Sequence, residues 1–356
     1  MKPIDYTSLH SPVTKQDGDQ FLASTPNATI ARGASATFAA IAVIVCGLCS
    51  LGIIPFVFFM ALFISPSIVS IIIGLFLSLM LLMSIVAGTI LLVRYVIKQS
   101  RRDLVNAVRL QRFAQANGFS YDAAISTPNY NGIIFRDHDD DPGNSSNVLR
   151  SPDGRLEIAN YMWTDRGGEH STTNWRGYIR IKLERHVPEM LLLAKHQVIG
   201  RLTIADMPTD LAADQTVILE GDFNDYFTLY APSEYGADVR YIFAPDLMAL
   251  LIDKTAAFDV QIIDDCLYVY SWQPFSLGDE TVMQRLMSIV ETVGKKMIDA
   301  TDQYQDDHQV TLAQDAVAPQ GLRLKKSKHV LRTVLVTLYA LVFVAIFGYV
   351  LISILS

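Results

Sequence analysis

GASATFAAIAVIVCGLCSLGIIPFVFFMALFISPSIVSIIIGLFLSLMLLMSIVAGTILLV, residues Gly33–Val93, runs for 61 residues without an Asp, Glu, Lys or Arg. A bilayer's hydrocarbon core is about 30 Å thick and is spanned by about 20 apolar residues of helix. The run is therefore too long for one span and suits two. Ser65-Pro66 divides it, an N-cap residue followed by proline at a first helical position. The reading is a hairpin, with Ala36–Phe59 as a first transmembrane helix and residues 67–97 as a second. Another charge-free run, Thr333–Ser356, is 24 residues long and gives a third span over 331–355. The 271 residues outside these two runs hold all 65 charged side chains, a share of 24%, which matches the roughly 25% of ordinary soluble domains. The expected fold class is three transmembrane α-helices, two amino-terminal as a hairpin and one carboxyl-terminal, plus a cytoplasmic α+β domain. A wholly soluble chain is excluded.

Orientation follows from basic residues near the helix ends, because Lys and Arg accumulate on the cytoplasmic side. Arg94, Lys98, Arg101, Arg102, Arg109 and Arg112 follow the second span, and Arg323, Lys325, Lys326, Lys328 and Arg332 precede the third. The turn Met60–Pro66 has none. This pattern puts a flexible polar leader, residues 1–35, and the large domain in the cytoplasm and Ser356 outside, as in a multi-pass plasma-membrane protein. Arg94, Lys98, Arg101 and Arg102, with Arg323, Lys325, Lys326 and Lys328, form a basic collar where the lipid bilayer is the partner. Each such cation near anionic headgroups contributes about 1 kcal/mol.

Between the flanks the balance reverses. Residues 113–322 hold 32 Asp and Glu against 15 Lys and Arg, a net of −17. A domain this acidic repels phosphate, which excludes nucleic acid as a partner. Spans without an ionisable side chain argue against ion carriage. Cys46 and Cys49 fall in the first span, where small residues serve helix packing, and Cys266 is the only thiol of the domain, which fits a reducing compartment.

Periodicity divides residues 98–300 into helices and strands. The second span is expected to continue as a helix to Asn117, stopped by Gly118. Strands are expected at Gly132–Phe135, Leu156–Tyr161, Trp175–Leu183, Val198–Ile204, Val217–Leu219 and Phe227–Tyr230. Pro245 opens a helix, Val260–Ile263 and Cys266–Trp272 read as a hairpin about Asp264-Asp265, and Asp279–Ala300 is an amphipathic helix. Residues 301–330 read as a linker.

Two constellations carry chemistry. Asp137, Asp139 and Asp141 have the 1, 3, 5 spacing of a calcium loop, but Pro142 stands where that loop needs glycine and Val148 where it needs glutamate. Asp238 and Arg240, two apart on an expected strand, share a face and read as a structural ion pair or a binding pair. No phosphate-binding glycine loop, nucleophile elbow or zinc-protease motif occurs, so no catalytic residue, metal or cofactor is assigned.

Leu219-Glu220, Phe223, Tyr226-Phe227, Leu229-Tyr230, Asp238, Arg240-Tyr241-Ile242, Pro245, Leu247-Met248 and Leu267-Tyr268-Val269 together resemble the signature of an uncharacterised bacterial family of membrane-anchored cytoplasmic domains, discussed alongside LemA-type proteins. The resemblance covers residues 219–275 and implies membrane anchorage and no particular activity. The function expected is a membrane-anchored interaction or assembly module acting through a protein partner or self-association. The alternatives are an accessory subunit of a membrane transport or envelope complex and, third, a metal-dependent hydrolase.

Overall fold

The computed structural model describes residues 3–25, 68–136, 143–165, 172–195, 211–302, 304–308 and 317–325. Helix α1 spans Lys15–Ser24 and begins at a capping box: Asp17 N–H donates to Thr14 Oγ1 at 3.2 Å, and Thr14 N–H returns a bond to the Asp17 carboxylate at 2.7 Å. Helix α2 is one continuous rod of 50 residues, Ile68–Asn117. It stops where Gly118 takes φ +76°, a left-handed value that glycine adopts without a Cβ penalty.

Four strands follow in antiparallel order: β1 (Ser120–Ser126), β2 (Asn144–Arg150), β3 (Leu156–Asp165) and β4 (Thr172–Ala194). Strand β5 (Thr216–Val217), the single-turn helix α3 (Phe223–Tyr226) and β6 (Phe227–Tyr230) come next, and β6 pairs with the far end of β4, Leu191 opposite Tyr230. Helices α4 (Gly236–Ile242) and α5 (Pro245–Thr255) precede β7 (Asp259–Ser271), which also pairs with β4 and completes a seven-stranded sheet. Helix α6 (Glu280–Ile289), capped by the Asp279 carboxylate, passes through a π-helical turn at Val290–Gly294 into α7 (Lys295–Thr301).

The chain forms two compact units, Met1–Tyr130 with Asp137–Ile181 and Tyr270–Glu291, and Asn131–Arg136 with Lys182–Val269 and Thr292–Ser356. In the first, Phe113, Val148, Ile158, Tyr161, Tyr178, Ile179 and Met283 are fully buried. In the second, Met190, Leu192, Phe223, Val239, Leu247, Leu251 and Ile262 are. At about 25 cal/mol per Å² of apolar surface removed from water, these two clusters are what hold the α+β fold together.

The expectation of three transmembrane helices is corrected here. Among the described residues one helix, α2, is long and apolar enough to cross a membrane, and what it carries is an α+β fold on a seven-stranded sheet. The expected spans 36–59 and 331–355 lie outside the described residues. The helix of the expected second span runs on past residue 97 without a break to Asn117, as its sequence led us to expect. Its residues from Arg94 onward are good helix formers with no glycine or proline to end the rod before Gly118.

Other expectations shift locally. The hairpin about Asp264-Asp265 is one strand, with Asp264 at φ +53°. Asp264 accepts bonds from Asn131 Nδ2 at 2.6 Å and Arg323 Nη1 at 3.0 Å, which anchor a left-handed residue inside a strand instead of a turn. Residues 133–135 form a 3-10 turn, not a strand.

Candidate functional site

Ionisable side chains inside each unit are the first place to look for chemistry. In the first unit Glu157 on β3 is 1% exposed. It accepts from Tyr178 Oη at 2.5 Å, Tyr130 Oη at 2.7 Å and Arg150 Nε at 2.5 Å. Arg150 also reaches Asp122 at 3.2 Å, and the Arg180 guanidinium lies 4.8 Å from the centre of the Tyr130 ring. Burial, and then the Glu157 charge, hold the Tyr178 hydroxyl protonated far above the ordinary tyrosine range. It is a fixed donor. The constellation supplies charge neutralisation, not a proton to exchange.

The second unit repeats the arrangement. Glu189 on β4 is 2% exposed and is met by Arg136, by Gln261 Nε2 at 2.7 Å and by the Leu324 amide at 2.7 Å. Asp306 accepts from Tyr235 Oη at 2.9 Å and from the amides of Ala318 at 2.7 Å and His308 at 2.9 Å. Burial pushes its pKa up, but these donors outweigh burial and hold the carboxyl below its ordinary value of 3.8. The stretch read as a linker thus carries a buried, fully engaged carboxylate. A carboxylate surrounded by fixed donors has little left to offer a substrate or a metal.

The residues singled out by sequence fare differently. Asp238 and Arg240 lie on α4, and on a helix positions two apart face different ways. Asp238 accepts from Tyr304 Oη at 2.8 Å, while Arg240 Nη1 donates to the Gly236 carbonyl of its own turn at 2.9 Å. The two are not brought together. Asp137, Asp139 and Asp141 lie outside the described residues, as do Lys326 and Lys328. Among the described residues no group of three or more His, Cys, Asp or Glu is placed to hold a metal. The collar divides as well: Arg323 bonds Asp264 in the second unit, and Lys325 is tied through its backbone, its amide donating to Gln215 Oε1 at 2.8 Å.

Arg94, Lys98, Arg101 and Arg102 remain, all exposed on α2 directly after its charge-free half. Among the described residues these four make no ion pair. With Arg109 they line the described wall of a pocket of about 660 Å³. The cations nearer the domain are engaged: Arg109 Nε donates to the Ser11 carbonyl at 3.1 Å, and Arg112 donates to the Pro12 carbonyl and pairs with Asp17 at 2.8 Å.

Sequence reasoning missed Glu157 and Glu189. The signal for Glu157 was present in Ser151-Pro152-Asp153-Gly154, a tight turn in which Gly154 takes φ +68°. That turn sets Arg150 opposite Glu157 across β2 and β3. No comparable signal marks Glu189, whose partners come from distant segments.

No family model matches the chain, and no curated protein matches it. Among solved structures, the crystal structure of the mycobacterial trehalose monomycolate transport factor A, TtfA, aligns with 11% identity over 55% of this chain and 94% of that one, at a TM-score of 0.35. A likeness of that size carries no functional argument, and this chain's reading rests on its own geometry.

Proposed function

We propose that the chain is a membrane-anchored interaction and assembly module whose α+β domain faces the cytoplasm. The observation that supports this most is the two-faced character of α2. From Ile68 to Val93 the helix carries no charge, and its large apolar side chains stand bare, Ile72 at 60% and Phe76 at 62% exposed. Further along the same rod Val108, Leu110 and Phe113 are buried in the first unit's core. A rod of this kind fixes a folded domain to a lipid phase without a flexible tether. The cations Arg94 to Arg112 follow the apolar half, the arrangement that places this end of a span in the cytoplasm. The interior carboxylates Glu157, Glu189 and Asp306 are engaged by internal donors, which supports a recognition role carried by the domain's surface.

The test uses the full-length protein in its own membranes. It is expected to stay in the pellet through an alkaline carbonate wash, and to give a discrete cross-linked species, with itself or with a partner, at a lysine-reactive spacer's reach. Release by carbonate would contradict the anchor, and a monomer under every cross-linking condition would contradict the assembly role.

A further inference from the structure

The uncharged part of α2, Ile68–Val93, is 26 residues long, about 39 Å at 1.5 Å per residue. That exceeds the roughly 30 Å hydrocarbon core, so the helix leaves the apolar layer at about Arg94. Arg94, Lys98, Arg101, Arg102 and Arg109 are spaced by 4, 3, 1 and 7. At about 100° per residue these intervals gather them within one sector of roughly 100° of the helix circumference. Asp103, the single acid of this stretch, falls on the opposite side, where Gln99 Nε2 bonds it at 3.1 Å. Ile97 and Val105 lie in the same wall of the pocket as the cations.

This is a strip of one helix face that is cationic along its length and has apolar side chains beside the charges. It stands at the depth where a bilayer changes from acyl chain to headgroup. Arg109 and Arg112 are consumed by the amino-terminal segment, whereas the four nearest the uncharged half make no ion pair among the described residues. We propose that this strip is a binding site for the phosphate headgroup of an anionic phospholipid. Arg94, Lys98, Arg101 and Arg102 supply the charge, and Ile97, one turn beyond the uncharged half, lies against the glycerol. Guanidinium forks match phosphate oxygens in pairs, and basic pockets beside spans on the cytoplasmic side take such headgroups. The proposal rests on the membrane reading of α2.

The experiment uses full-length protein in a neutral detergent, titrated with fluorescent phosphatidylglycerol and, separately, with fluorescent phosphatidylcholine carrying the same acyl chains. Phosphatidylglycerol is expected to bind saturably and at least about tenfold more tightly, since a cation near an anionic surface contributes about fivefold. The variant R94Q/K98Q/R101Q/R102Q is expected to bind both lipids alike. Equal affinity of the unaltered protein for the two lipids would overturn the site without recourse to any variant, as would an undiminished preference in a folded quadruple variant. Displacement by inorganic phosphate, beyond the effect of a chloride salt of equal ionic strength, would overturn the lipid in favour of a free anion. A protein that keeps the preference but leaves the membrane in carbonate refutes the anchor alone. One that stays anchored without the preference refutes this site alone.

Discussion

Glu157 meets three donors where almost no water reaches it, and that arrangement sets the cost of disturbing it. Replacing it with alanine removes the carboxylate from Arg150 Nε and from two tyrosine hydroxyls, although Arg150 keeps Asp122 and the Tyr178 hydroxyl keeps Ser145 Oγ at 3.0 Å. Removing one partner of a buried pair costs about 3–5 kcal/mol. Arg150 is about a third exposed, so solvent takes up part of its charge and Glu157→Ala belongs at the lower end, about 3 kcal/mol. Urea unfolding of the full-length protein in detergent measures this, and a loss below about 0.5 kcal/mol, the range of ordinary surface changes, would refute the structural role. Asp306 makes a pH-dependent prediction. Its folded pKa is lowered, so its stabilisation is fully present above the unfolded value of about 4 and disappears as pH falls through the lower folded value. The melting temperature of Asp306→Asn should lie below that of the unaltered protein at neutral pH, and the gap should close in acid. A gap independent of pH would show that the charge is not what matters.

At the level of elements, the amino-terminal segment behaves as a clasp on the base of α2. Phe21 packs with Val108, Ala123 and Tyr121, Asp17 pairs with Arg112, and the Asn117 side chain bonds both the amide and the carbonyl of Asp5. Burying Phe21 is the largest apolar gain there, and Phe21→Ala typically costs about 3–5 kcal/mol. Hydrogen exchange should show residues 15–24 losing protection in that variant while β3 keeps its own; equal loss in both would mean the clasp is not a separate unit. Gly177 is a second sensitive point. A Cβ there would stand 2.6–2.7 Å from the Phe275 ring, and Phe275 is itself fixed by the Asn160 side chain, which donates to its carbonyl at 3.0 Å and accepts from its amide at 2.6 Å. Gly177→Ala should therefore destabilise by about 1–3 kcal/mol, read by the same unfolding measurement.

Elements with strong local signals were legible. The helix to Asn117, its stop at Gly118, the strand Phe227–Tyr230 and the helix opened by Pro245 all stand where periodicity and end residues place them. Strands β1 and β2 were not legible, since Ser-Tyr-Asp-Ala-Ala-Ile-Ser and Asn-Ser-Ser-Asn-Val-Leu-Arg lack apolar alternation and exist because they pair with each other and with β3. Asp238 and Arg240 are expected on a strand but lie on α4, where Val239, Ile242 and Phe243 recur at i, i+3 and i+4, the helical spacing, and are buried on one face. The carboxylate clusters were missed for a different reason: Glu189 gathers Arg136, Gln261 and Leu324, and contacts that distant leave no pattern in the chain.

Considered whole, the molecule joins a lipid-compatible rod to an acidic α+β domain through one uninterrupted helix. That continuity is the central claim, and it is tested most directly by the solvent accessibility of α2. In a background with Cys46, Cys49 and Cys266 replaced, single cysteines at Phe76, Met83, Ile90 and Arg101 are exposed to a membrane-impermeant maleimide. Inside-out vesicles and intact cells are compared, each before and after detergent. The first three positions should stay unlabelled until detergent is added, while Arg101→Cys should react at once in the inside-out vesicles and not in intact cells. Labelling of Phe76→Cys or Met83→Cys as fast as Arg101→Cys without detergent would contradict the account.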